Sequence, residues 1–279
     1  MVGYIKTRQE KNIIKKILNK IEIEEYENGN KYTIPKFNKK LLEKLKEDNI
    51  KNIVVAKKDK ENIEFLNNIY SNNMNIIDGR ILFKHLIPEI IEYISNVCKI
   101  NKNDMQITIL ANDYSQINIF YINELITEVK SVNIVTNNIN RFKQFADRLY
   151  NKEAIVVPIM NNKNKSLLNK KIILNIDFSE EQLKKYKMNR KAIIINIENN
   201  IEKVNRTFTG VNINNYKLIS KKEESEFEEN EIYESYIIMN KIQDIRKIII
   251  KENLQIKSFI GNRGEIDISE YEINTKSKI

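Results

Sequence analysis

Among 279 residues the chain has one cysteine, Cys98, one histidine, His85, and no tryptophan. A lone cysteine excludes an internal disulfide, and with a single imidazole it excludes a Cys/His zinc centre within one chain. No run of about 18 apolar residues occurs, so no membrane-spanning helix is expected. The opening MVGYIKTRQEK lacks the apolar stretch of a signal peptide, and a cytoplasmic, soluble protein is the expectation. Arginine is scarce, at 8 of the 47 basic residues. That weakens specific phosphate or base recognition, which favours the planar guanidinium fork. Only six glycines are present, and Gly261 and Gly264 in FIGNRGEI are too few and too late for a phosphate loop, so a tail turn is expected there.

What is abundant is isoleucine (53), asparagine (42) and lysine. These share AT-rich codons, so biased nucleotide composition explains much of the formal charge of +9. Most of the excess lies in residues 1–60, with 16 Lys/Arg against 9 acids. A solvated lysine surface is the simpler reading, and nucleic-acid binding through this segment the weaker one. The chain is 41 % hydrophobic with 10 Phe and 13 Tyr, enough for a substantial core. Its length suggests two compact units.

Along the chain, KNIIKKILNKI is a helix or strand, and EIEEY (22–26) and KYTI (31–34) flank an Asn28-Gly29 hairpin turn. Asn38 is a helix cap before LLEKL. IKNIVVA (50–56) and MNIID (74–78) read as strands around a helix over 59–71, capped by Asp59. Residues 81–100 form an apolar helix that Pro88 must kink or start. Then five β-branched runs, 105–111, 132–136, 154–159, 171–177 and 192–197, alternate with helical segments over 114–130, 139–150 and 179–186, with Ser179 opening the last. Near-continuous apolar strands separated by helices mean a parallel sheet covered on both faces. The right-handed crossover rule makes it doubly wound, in the order 3-2-1-4-5. Residues 232–251 read as one long helix. The expected segments are 1–100 (hairpin plus a smaller α/β unit), 101–200 (doubly wound domain) and 201–279 (C-terminal extension with the long helix).

ITILAND (107–113), IVTNNINRFKQFADRLY (134–150), KIILNIDF (171–178) and AIIINI (192–197) follow the order of the first, second, fourth and fifth strands of a Rossmann-like nicotinamide domain. The unit from 104 to 198 thus resembles that domain of two-domain dehydrogenases such as shikimate dehydrogenase and glutamyl-tRNA reductase. The resemblance implies a crevice for NAD or NADP at Asn112, Asp113, Ser115, Thr136, Asn137 and Asp177. The departures are concentrated there. The turn Ala111-Asn112-Asp113-Tyr114-Ser115-Gln116 has no glycine to let the backbone approach a pyrophosphate, and Asp113 would oppose its charge. The second strand ends without an acid for a ribose hydroxyl, and Arg141 is the nearest candidate for a 2′-phosphate. No Lys–Asp pair or nucleophilic cysteine matches the family's catalytic groups, Cys98 falling in an apolar helix.

Other residues have plainer readings. His85 and Glu89 would share one helix face, Asp78 of Asp78-Gly79-Arg80 would cap a helix, Asn175 and Asp177 lie at the functional edge of the sheet, and Arg141 and Arg148 lie on one exposed helix face. The expectation is a non-catalytic binding, scaffold or regulatory protein with no cofactor, whose partner is another protein, with no membrane association. The alternatives are an NAD(P)-dependent oxidoreductase with an altered crevice and a nucleic-acid-binding protein. Asn112, Asp113 or Ser115 would then cap the helix that a cofactor's phosphates would otherwise meet.

Overall fold

A computed structural model of the chain describes residues 1–8, 20–219 and 225–269. The run read as helix or strand from residue 11 lies largely outside them. The expected segments 1–100, 101–200 and 201–279 run consecutively; the compact units do not. One comprises Met1–Leu82 with Leu218–Leu254, the other Phe83–Lys217 with Gln255–Ile279.

The first unit is built on a five-stranded sheet. Its strands are β1 (Val2–Thr7), β2 (Glu22–Tyr26), β3 (Gly29–Ile34), β4 (Asn52–Val55) and β5 (Asn75–Ile76), in the order β2-β3-β1-β4-β5. β1 runs parallel to both β3 and β4, and β2 is antiparallel to β3. β1 had no counterpart in the sequence reading. The hairpin forms as expected, but the positive φ falls on Glu27, at 46°. Gly29 pairs with Tyr26 within the ladder, and a Cβ there would lie 2.2 Å from the Val2 carbonyl oxygen. Close backbone approach, not turn geometry, is what requires that glycine.

Period-two alternation divides the sheet residues between two cores. Ile5, Ile53 and Val55 face α1 (Lys39–Glu47) and α2 (Ile63–Ser71), packing with Leu41, Leu45, Phe65 and Ile69. Val2, Tyr4, Val54 and Ala56 pack with Ile77 and Phe227 on the other face. Asn38 caps α1, accepting from the Leu41 N–H at 3.0 Å. The cap of α2 is Asn62, not Asp59, because the Asp59 carboxylate is held by the Thr7 backbone N–H at 2.7 Å and its hydroxyl at 2.5 Å.

Helix formation over 80–97 breaks in two, α3 (Arg80–His85) and α4 (Ile87–Val97), with Pro88 in the first turn of the second. A proline there gives up an N–H that has no intrahelical partner anyway. Cys98 stands at the C-cap of α4 rather than within the helix, half-buried, and burial pushes its thiol pKa up.

The second unit carries a six-stranded parallel sheet. Its strands are β6 (Gln106–Leu110), β7 (Ser131–Val135), β8 (Ile159–Met160), β9 (Ile172–Asn175), β10 (Ile193–Asn196) and β11 (Val211–Ile213), ordered β11-β10-β9-β6-β7-β8. Every neighbouring pair is parallel. The expected order 3-2-1-4-5 holds, and β11 adds a sixth strand beside β10. Helices α5 (Gln116–Glu128), α6 (Ile139–Glu153) and α7 (Glu180–Lys184) make the crossovers. Ser179 and Gln182 form a capping box at α7. Leu110, Val135, Ile173 and Ile194 form one core with Leu167, Leu183, Tyr186 and Ile201. This is the doubly wound, Rossmann-like α/β class.

The third strand is far shorter than the run 154–159. Ala154 closes α6 in the left-handed region, Val156 is 70 % exposed, and Pro158 has no N–H to donate. After β11 the chain forms β12 (Asn215–Leu218), then, beyond two helices, the antiparallel pair β13 (Ile256–Gly261) and β14 (Gly264–Ile266). Gly264 adopts φ +104 in the hairpin turn, which accounts for one of the two late glycines. The long helix expected over 232–251 is two helices, α8 (Glu229–Met239) and α9 (Ile245–Glu252). Lys241 turns left-handed at φ 49, and Asp244 starts a new helix by accepting from the Lys247 N–H at 3.2 Å. Among the described residues no helix is long and apolar enough to cross a membrane.

Candidate functional site

In a doubly wound sheet the crevice opens beyond the carboxyl ends of the strands where the order reverses, between β6 and β9. Leu110 pairs with Asn175 in register there, so the chain leaving β6 and the chain leaving β9 emerge side by side. Asp177 lies two residues beyond β9. Both its carboxylate oxygens lie 2.8 Å from the Asn112 backbone N–H, and Oδ2 also accepts from the Asp113 N–H at 2.6 Å. The backbone donors that a phosphate would use are bonded to the protein's own carboxylate.

The Asp177 pKa is raised. Burial is the largest cause, with Glu198 and Asp113 adding repulsion and the two backbone N–H bonds opposing it. The rest of the turn follows from local bonding. Asn112 Oδ1 accepts from the Asn137 N–H at 2.9 Å, which ties the turn after β6 to the turn after β7. The buried Thr136 hydroxyl accepts from the Asn138 N–H at 2.9 Å. No residue from Ala111 to Gln116 has a positive φ, so the chain makes the bend without glycine.

The expected cap at α5 is not made. Ser115 occupies the N-cap position, but its side chain accepts no hydrogen bond and its buried Oγ has no partner. Asn112 is turned toward Asn137, and the Asp113 carboxylate takes the Asn118 amide at 3.2 Å. Replacing Asp113 by alanine is expected to cost about 0.5 kcal/mol, since the Asn118 amide keeps its 3.0 Å bond to the Asp113 carbonyl. A urea titration of the variant measures this.

Tyr114 turns away from the strand ends. Its ring meets Phe142 and Phe145 of α6 edge-on, and Arg148 donates to its hydroxyl. Arg141 and Arg148 line a shallow surface cleft with it. His85 and Glu89 fall on separate helices, α3 and α4, and His85 Nδ1 lies 2.7 Å from the Tyr121 hydroxyl. Asp78 accepts from the Arg80 N–H at 3.1 Å from one residue before the N-cap position, while Glu234 takes the Ile81 and Leu82 N–H groups that the expected Asp78 cap would have used.

Two groups escaped the sequence reading. Lys163, beyond β8, donates to Asn161 Oδ1 at 2.6 Å, to Asn137 Oδ1 at 3.1 Å and to the Tyr186 hydroxyl. Burial, then Lys185, lowers its pKa. The second is an asparagine relay along the strand ends. Asn175 Nδ2 donates to Asn196 Oδ1 at 2.9 Å. Asn196 Nδ2 donates to Asn212 Oδ1, the Ile213 carbonyl and Asn214 Oδ1 at 2.8, 2.9 and 3.0 Å. Asn175 was expected at this sheet edge, but in a chain with 42 asparagines no sequence signal separates Asn196, Asn212 and Asn214 from the rest. Among the described residues no group of three His, Cys, Asp or Glu is placed to hold a metal ion.

No protein-family model matches the chain, and no curated protein matches it. Among solved structures, L-tryptophan dehydrogenase from Nostoc punctiforme aligns over 88 % of this chain and 77 % of its own, with 8 % identity and a TM-score of 0.41. The Rossmann-like assignment rests on the strand order and the parallel pairings themselves.

Proposed function

We propose that the chain is a non-catalytic binding protein of the Rossmann-like α/β class, with a crevice closed to dinucleotides by its own carboxylate. The observation that carries this reading is the bonding of Asp177 to the Asn112 and Asp113 N–H groups. In a dinucleotide site those donors and the following helix N-terminus face two phosphate charges. Here a phosphate would have to displace a bonded carboxylate and approach Asp113 as well, and like charges in such a crevice repel. Of the asparagine amides around the seat, Asn112 and Asn138 satisfy backbone groups of the turns, and Asn137 Oδ1 accepts from Lys163. The partner proposed is another protein.

The test is thermal unfolding and calorimetry with NAD and NADP at millimolar concentration. No saturable change is expected. A ligand at about 100 times its dissociation constant adds about 2.7 kcal/mol, a shift no thermal scan would miss. A saturable rise in melting temperature with either cofactor would restore the oxidoreductase reading.

A further inference from the structure

Helix α8 meets its sheet through a polar face. Its buried residues are Asn230, Glu231, Glu234, Ser235 and Ile237. A helix seated on a sheet ordinarily buries an apolar stripe. Here hydrogen bonds and charge share the seat with half-buried Ile232, Ile238 and Met239, which pack on the core of that sheet face. Ser235 bonds the Tyr4 hydroxyl of β1. Glu234 Oε2 accepts from the backbone N–H groups of Ile81 and Leu82, at 2.8 and 3.2 Å, in the first turn of α3. Glu231 is 4 % exposed; Lys60 donates to its Oε1 at 2.6 Å, while its Oε2 is buried with no hydrogen-bond partner.

The charges facing these two carboxyls come from every element around them. From the loop after β4 comes Lys60, on Glu231, while the nearby Asp59 carboxylate is turned to Thr7. From the loop after β5 come Asp78 and Arg80, 3.7 Å apart, and from the start of α8 itself comes Glu228, 4.0 Å from Lys57. Asp78 acts on both glutamates, Arg80 on Glu234, and Glu228 on Glu231. Three cations, Lys57, Lys60 and Arg80, thus stand against five carboxyls.

We propose that α8 is a pH-operated clamp, seated on the first unit's sheet while Glu231 and Glu234 hold protons and loosened once both are ionised. Burial is the largest influence on both, pushing Glu231 up to about 8 and Glu234 up to about 7. A glutamate on a detached helix returns to the ordinary range near 4.5, so the seated form holds the extra protons between that range and about 8. Seating therefore weakens as pH rises through this window, and levels off above it. Loosening would uncover the sheet face formed by Val2, Tyr4, Val54 and Ala56.

Hydrogen exchange of the full chain, read by mass spectrometry and corrected for intrinsic rates, tests the clamp. Between about pH 6 and about pH 9, protection over residues 229–239 is expected to fall by about tenfold or more, while β6 keeps its protection. Glu231→Gln should remove most of that fall, and Glu231→Gln with Glu234→Gln should abolish it. Lys60→Met should enlarge it, because the Glu231 anion loses its cation. Protection over 229–239 that is equal at both pH values, or that rises with pH, overturns the proposal. So does a Glu231→Gln variant that keeps the full fall. If the double variant fails to fold, the parent chain and the single variant still decide the question.

Discussion

Replacing Asn196 by leucine is expected to lower the unfolding free energy by about 3–5 kcal/mol, the largest loss from any single polar site in the second unit. Asn196 is fully buried at the end of β10. Its amide donates to Asn212, to the Ile213 carbonyl and to Asn214, and its oxygen accepts from Asn175. Leucine matches its bulk but leaves those partners facing an apolar side chain. Each buried group left without a partner costs about 1–3 kcal/mol, reduced where a second bond survives. Asn175 keeps the Phe178 carbonyl, and Asn214 keeps the Ile201 N–H. Urea unfolding should show a lower midpoint with an unchanged slope. A loss below about 1 kcal/mol would mean that water replaces the amide and that the relay adds little.

Asp177→Ala is expected to cost about 2–4 kcal/mol, and Asp177→Asn less, because its amide oxygen still accepts from the turn. The alanine variant leaves the Asn112 and Asp113 N–H groups without their acceptor. The pH dependence has a definite sign. Burial, with Glu198 and Asp113, raises this carboxyl above its unfolded range. Folding therefore takes up a proton between the two ranges, and the parent's stability falls as pH rises through them. Neither variant has that slope, so each should lose more relative to the parent at acid pH than at neutral pH. Chemical denaturation at several pH values checks it, and a loss that grows as pH rises would contradict the assignment.

Strand order was readable because its cause is local. Runs such as Ile107–Leu110 and Ile193–Ile195 are apolar on both faces, and only a covered parallel sheet accommodates them. The glycine-free turn after β6 likewise announced an altered anion seat. Its occupant was not readable. That Asp177 reaches Asn112 depends on Leu110 lying opposite Asn175, a register that no periodicity specifies. The expected cap at α5 failed for a related reason: Asn112 found its partner in the turn after β7, Asp113 in Asn118 of α5 itself, and the Ser115 hydroxyl found none. In the run 232–251, unbroken helical spacing hid the stop at Lys241 and the cap at Asp244. Nothing local marks Glu231 and Glu234 as buried, because their partners, Lys60 and the Ile81 and Leu82 N–H groups, come from distant parts of the chain.

The brevity of β8 also bears on behaviour outside the native state. A sheet made of such isoleucine-rich strands is a ready template for another chain wherever it presents a long open edge. At one side, the Asn214 N–H beyond β11 is taken by the Ile260 carbonyl of β13. At the other, only Ile159 and Met160 pair with β7, and Pro158 immediately before them has no proton to offer a neighbour. The isoleucine-rich strands are thereby enclosed between short borders, β11 and β8, that offer little template to a second chain. Pro158→Val, which restores a donor and extends a β-branched run, would lengthen that border and favour self-association without changing net charge.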